Sequence, residues 1–212
     1  MYVHVALTVG LALAGLALRR PQASVIARFV PSDTVARRPA AAGLVTAAML
    51  GLLGARVHPA LVLAAACALA ICAVPLAFID VAVRRLPDVL TGAAYAGTTL
   101  LLLLAAATTG HWHQFVRALL GGFALAAFYF LLLLISPSGM GLGDVKLSAS
   151  LGTLLAWAGW RTLLLGGFAG FGLAALYGVA LLVTGRAKRK QQIPSGPFMI
   201  AGAFLAFLIA TL

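Results

Sequence analysis

Eight apolar segments, separated by short polar or basic gaps, constrain this chain more than any other feature. They run at about 3–18, 40–55, 59–79, 89–108, 115–135, 145–157, 161–184 and 197–212. Several approach or exceed the roughly 20 residues that a helix needs to cross a bilayer core. The segments are Leu/Ala-rich throughout and lack the two-residue alternation of a membrane β-barrel. In hydrocarbon a backbone must satisfy its own hydrogen bonds, which favours helices. The expected fold is therefore all-α, a polytopic integral membrane helical bundle of about eight transmembrane helices. Of the 212 residues 63% are hydrophobic, too many for an ordinary soluble domain of this length. The chain reads as one membrane domain, 1–212, with N-terminal helices in 1–56 and a core in 59–212. Segment 3–18 has no basic cluster before it and Arg19-Arg20 after it, the polarity of an uncleaved first helix rather than a signal peptide.

A net charge of +11 suggests nucleic acid at first sight, but the placement of the charges argues for membrane topology instead. With residues 19–39 placed in the cytoplasm and the segments alternating, the cytoplasmic side holds Arg19, Arg20, Arg28, Arg37, Arg38, Arg84, Arg85, Lys146, Arg186, Lys188, Arg189 and Lys190. Arg56, Arg117 and Arg161 remain on the other side. This asymmetry follows the positive-inside rule and supports both the orientation and the number of segments. No nucleic-acid partner is expected; the lipid bilayer is.

The chain has four acidic residues, Asp33, Asp80, Asp88 and Asp144, and no glutamate. Any carboxylate chemistry draws on these four. Asp80 directly follows the run Leu76-Ala77-Phe78-Ile79, at the cytoplasmic end of the third segment, where a helix dipole disfavours a carboxylate. Ionisable groups at the membrane are expensive and mark functional sites. Asp144 closes the glycine run Gly139-Met140-Gly141-Leu142-Gly143 at the matching depth before the sixth segment. Two carboxylates brought close there would share one proton, so that one takes a proton from water while the other protonates a leaving group. That is aspartic-protease chemistry, with no metal and no cofactor. The plainer readings are a helix cap for Asp144, an ion pair with Arg84 or Arg85 for Asp80, and a loop or N-cap role for Asp88. Asp33 sits in the basic linker and reads as solvated.

Glycines at 139, 141 and 143 would let the backbone adopt positive φ and approach an extended substrate strand. Lys146 reads either as a positive-inside anchor or as a group that holds an acid of a partner. Cys67 and Cys72 read as small apolar residues inside one segment. His111, Trp112 and His113 lie in an external loop, where aromatic anchoring is expected rather than a metal site.

Three stretches together resemble the type IV prepilin peptidases, membrane aspartyl proteases of the GxGD kind. They are Phe78-Ile79-Asp80 with Arg84-Arg85-Leu86-Pro87-Asp88-Val89-Leu90-Thr91, then Gly141-Leu142-Gly143-Asp144-Val145-Lys146-Leu147, and Ile193-Pro194-Ser195-Gly196-Pro197-Phe198. The resemblance covers roughly 61–212, and 59–212 is then the peptidase core. It implies that Asp80 and Asp144 are the catalytic pair; Gly141, Gly143 and Lys146 are the residues expected to meet the substrate. It implies an enzyme of the bacterial inner membrane that removes, at the cytoplasmic face, the short basic leader of prepilin or pseudopilin precursors. Bifunctional members carry paired CxxC motifs between their first two helices, in a region associated with N-methylation. Here the linker 19–39 is short and has no cysteine, so a peptidase without the zinc site is expected. Ser195 stands where the family often has an aromatic residue. Presenilin-like GxGD proteases place Tyr-Asp in the earlier helix, where this chain has Ile79-Asp80. A transporter would show polar midplane groups or repeat symmetry, and the chain has few such groups and no convincing repeat.

Overall fold

The computed structural model describes residues 2–31, 39–136, 140–185 and 194–211. Asp33, Gly139, Ile193, Arg37, Arg38, Arg186, Lys188, Arg189 and Lys190 lie outside the described residues. Among the described residues the structure is all-α. The helices are α1 (Tyr2–Ala17), α2 (Arg19–Phe29), α3 (Pro39–Arg56), α4 (Ala60–Val83), α5 (Asp88–Thr109), α6 (Trp112–Ile135), α7 (Leu142–Ala158), α8 (Trp160–Val183) and α9 (Gly196–Ala210). The eight apolar segments correspond to α1 and α3–α9. The helices α4, α5, α6 and α8 are long and apolar enough to cross a membrane, and most of α1, of α3 and all of α9 form shorter apolar helices. Large apolar side chains face outward along α6 and α8, among them Phe123, Phe168, Leu176 and Leu182. An apolar exterior of this extent fits a chain dissolved in lipid.

Two differences from the sequence reading matter. The linker 19–39 contains a helix, α2. Its residues Gln22, Ile26 and the following Val30 are buried, spaced by four along one face, while the basic side chains Arg19, Arg20 and Arg28 remain outside. The amide of Gln22 accepts a hydrogen bond from Thr46 Oγ1 (2.9 Å) and donates to the Ile71 carbonyl (3.3 Å), tying α2 to both α3 and α4. Second, α4 does not end at Ile79. It continues to Val83 and closes with Arg84 in a left-handed conformation, φ 53°. Asp80 therefore belongs to the last turn of α4.

At the centre lies α7, largely buried from Leu147 to Trp157. Its closest partner is α6, and small residues allow the approach. A Cβ on Gly152 would stand 2.9 Å from the Gly121 carbonyl oxygen. Close backbone contact of this kind is how helices associate in lipid, where apolar burial alone gives no preference. Arg117 of α6 then closes the far end of α7. Its Nε donates to the Ala156 carbonyl (2.7 Å) and its Nη2 to the Trp157 carbonyl (2.5 Å). These carbonyls have no partner within their own helix. Replacement by methionine, Arg117→Met, is expected to lower stability by about 2 kcal/mol, the scale for charge-assisted bonds. A clear drop in melting temperature in detergent is the readout, and an unchanged melting temperature contradicts it.

Candidate active site

The carboxylate of Asp80 enters the site from the last turn of α4, and that of Asp144 from the first turn of α7. Both side chains are nearly buried, 5% and 6% exposed. What brings them together is the N-terminus of a third helix. Gly196, the first residue of α9, donates its N–H to Asp80 Oδ2 at 2.9 Å. The adjacent residue, Ser195, donates its hydroxyl to Asp144 Oδ1 at 2.7 Å. Consecutive residues thus hold carboxylates that are far apart in the chain. A helix N-terminus is suited to this, because its free N–H groups and dipole favour negative charge.

Asp144 also caps its own helix. The N–H of Gly141 donates to Asp144 Oδ2 at 2.9 Å. The capping role considered from the sequence is therefore present, and it leaves the carboxylate lining the cavity. Gly143 also has a packing reason that the sequence reading did not include. A Cβ there would stand 2.6 Å from Leu86 Cβ. Leu86 belongs to the connection between α4 and α5, so this contact seats that connection against the first turn of α7. Neither Gly141, with φ −106°, nor the helical Gly143 takes positive φ.

The two carboxylates line one cavity of about 730 Å³, which also meets Arg28, Arg84, Arg85 and Asp88. Gly141, Leu142 and Gly143 form part of its wall. Among the described residues Asp80 makes no ion pair with Arg84 or Arg85. The ion pair found there joins Lys146 Nζ to Asp88 Oδ1 at 2.7 Å, with both side chains largely exposed, 49% and 73%. Asp88 is the first residue of α5, after Pro87 as N-cap. Lys146 lies outside the cavity of the two aspartates and, with Asp88, borders a smaller one of about 300 Å³.

Sequence reasoning missed the wall supplied by Arg28, Phe29 and Pro31. The spacing of Gln22, Ile26 and Val30 was the available signal. It also missed what Ser195 and Gly196 do, since nothing local in their sequence points to distant aspartates. Chemically, two buried carboxylates opening on one cavity can act on a single substrate group as proton acceptor and proton donor.

The type IV leader peptidase family model matches residues 67–212. The chain is 39% identical over 87 residues to a prepilin leader peptidase/N-methyltransferase of Bacillus subtilis, covering 40% of this chain and 34% of that protein. It is 34% identical over 163 residues to the protein of that name from Burkholderia pseudomallei, covering 70% of this chain and 48% of the relative. To the leader peptidase HopD of Salmonella typhimurium it is 41% identical over 86 residues, covering 40% and 53%. The matches thus span about half the length of these relatives or less. No solved structure gives a significant match.

Proposed function

Because the chain belongs to the type IV leader peptidase family, we propose that it is a membrane aspartic endopeptidase that removes the short basic leader of prepilin-like or pseudopilin precursors. The observation that carries this reading is the joint anchoring of Asp80 and Asp144 on Ser195-Gly196, inside one cavity. One aspartate draws a proton from a water molecule, whose oxygen adds to the scissile carbonyl. The other delivers its proton to the leaving nitrogen as the C–N bond breaks. Burial keeps bulk water from competing for these protons.

The same reading gives the remaining residues their parts. The backbone at Gly141 and Gly143 lines the cavity beside the pair and meets the substrate strand. Lys146 borders the neighbouring smaller cavity together with Asp88 and reaches an acidic substrate group by leaving Asp88. Residues 59–212 form the peptidase core, and the helices in 1–56 complete its wall through Arg28 and Phe29. The site faces the cytoplasm, on the side where the positive-inside rule puts most of the arginines and lysines, and the enzyme sits in the bacterial inner membrane.

The test is cleavage of a co-expressed precursor with a basic leader and one apolar helix, followed by gel shift and by mass of the product. The expected product begins at the residue after the leader. Unshifted precursor throughout a panel of type IV pilin, Tad-type pilin and secretion pseudopilin substrates contradicts the proposal. Asp88→Asn is expected to process its substrate within about fivefold of wild type, since an exposed ion pair contributes about 0–1 kcal/mol. A loss as large as that of the buried pair would place Asp88 in the reaction.

A further inference from the structure

We infer that Ser195 is a positioning residue that divides the work within the pair, holding Asp144 as the ionised partner and leaving the shared proton on Asp80. This rests on the reading of Asp80 and Asp144 as the catalytic carboxylates. Asp144 receives a donor on each oxygen, the Ser195 hydroxyl on Oδ1 (2.7 Å) and the Gly141 N–H on Oδ2 (2.9 Å). An ionised carboxylate is an acceptor only, and donors to it favour that form. Protonating Oδ2 of Asp144 weakens the Gly141 bond, and protonating Oδ1 turns the Ser195 hydroxyl from donor to acceptor, which exchanges a charge-assisted bond for a neutral one. Asp80 receives one donor, the Gly196 N–H on Oδ2. Among the described residues no donor meets its Oδ1, which carries a proton with the Gly196 bond intact. In a pair that holds one proton, the proton therefore sits on Asp80.

A second observation concerns what Ser195 does not do. It occupies the N-cap position of α9, where a serine ordinarily bonds an N–H of its own helix. Here its side chain makes no capping bond. Its one O–H is turned to Asp144 instead. The residue itself is fixed on both sides, by the Met199 N–H on its carbonyl (3.0 Å) and by the neighbouring Gly196 on Asp80.

The division has a chemical consequence. Asp144 accepts the proton of the attacking water as the new C–O bond forms. Asp80 gives its proton to the amide nitrogen as the C–N bond breaks. After product release Asp144 is protonated and Asp80 ionised, and one proton transfer between them restores the starting state. The net change is one amide and one water to one acid and one amine.

The experiment measures kcat and KM of the full chain in detergent with a purified prepilin-like precursor, for Ser195→Ala, Ser195→Thr and Ser195→Val. Ser195→Ala is expected to lower kcat about 10- to 100-fold, the scale for a misplaced reacting group, with KM within about threefold. Ser195→Thr keeps the hydroxyl and stays within about threefold of wild-type kcat. Ser195→Val has the shape of threonine without the hydroxyl and matches the alanine variant, so this pair decides the matter even if alanine disturbs the fold. Unchanged kcat in alanine and valine, equal loss in threonine and valine, or an effect confined to KM overturns the assignment. Asp80→Asn and Asp144→Asn run alongside. If both are inactive and Ser195→Val is not impaired, only the role of Ser195 fails; if both remain active, the catalytic reading itself fails.

Discussion

Replacing either Asp80 or Asp144 by asparagine is expected to reduce leader cleavage about a thousandfold or more, within the range that positioned acid–base groups supply. The two substitutions keep size and shape. In Asp80→Asn the amide oxygen still accepts the Gly196 N–H, so α9 keeps its seat on α4. In Asp144→Asn the amide oxygen still accepts the Gly141 N–H, while the amide nitrogen meets the Ser195 hydroxyl, which has to turn from donor to acceptor. Some loss of stability is expected in the second and little in the first. A common loss of activity with different effects on melting temperature separates chemistry from folding. Retention of more than a tenth of wild-type activity by either variant, at equal membrane level, contradicts the role given to that carboxylate.

The second large effect is expected at Gly196. Its added Cβ would stand 2.9 Å from Asp80 Oδ2 and 3.3 Å from Asp80 Cγ. Asp80 is buried and cannot swing away freely. Gly196→Ala therefore displaces a reacting carboxylate by a few tenths of an ångström and tilts the N–H that holds it. Positional errors on this scale cost about 100-fold in rate when they approach 1 Å, so a loss of about 10- to 100-fold is expected. The backbone raises no objection, since alanine is a better helix former than glycine. Gly92→Ala is the matched control. It also lies in a helix, and a Cβ there meets nothing within 4 Å. Gly92→Ala should retain activity and gain a little stability. Equal activity in the two variants would show that the tight contact at Gly196 does not matter to catalysis.

The membrane helices were legible because each depends on its own composition. An apolar run of sufficient length has one good structure in lipid, whatever its neighbours do. The exceptions have physical causes. The helix α2 is mixed in character, and its buried face comprises only Gln22 and Ile26 before Val30. It is held by packing on α3 and α4 and by the bonds of Gln22, which no local pattern encodes. The end of α4 was read too early because a charge interrupts the apolar run at Asp80. The helix continues because that carboxylate turns into a cavity and finds the Gly196 N–H.

The site divides in the same way. Asp80 and Asp144 stood out because the chain contains so few acids, and Gly141-Leu142-Gly143-Asp144 drew attention to itself. Their anchoring on Ser195-Gly196 was not legible, since it depends on how α9 docks between α4 and α7. Ser195 registered only as an unusual residue in a motif. The use of Gly143 was also hidden. It provides room for Leu86, a contact between segments that the sequence separates by a whole hairpin of helices.

The most direct measurement of the central claim is leader release from a purified prepilin-like precursor by the chain reconstituted in lipid vesicles, read by the masses of both products. Wild type is compared with Asp80→Asn, Asp144→Asn and the double variant. Residues that act as a unit are not additive. The expected result is full release by wild type and one common, very low rate for both single variants and the double. Release by the double variant at a rate near wild type would contradict the account.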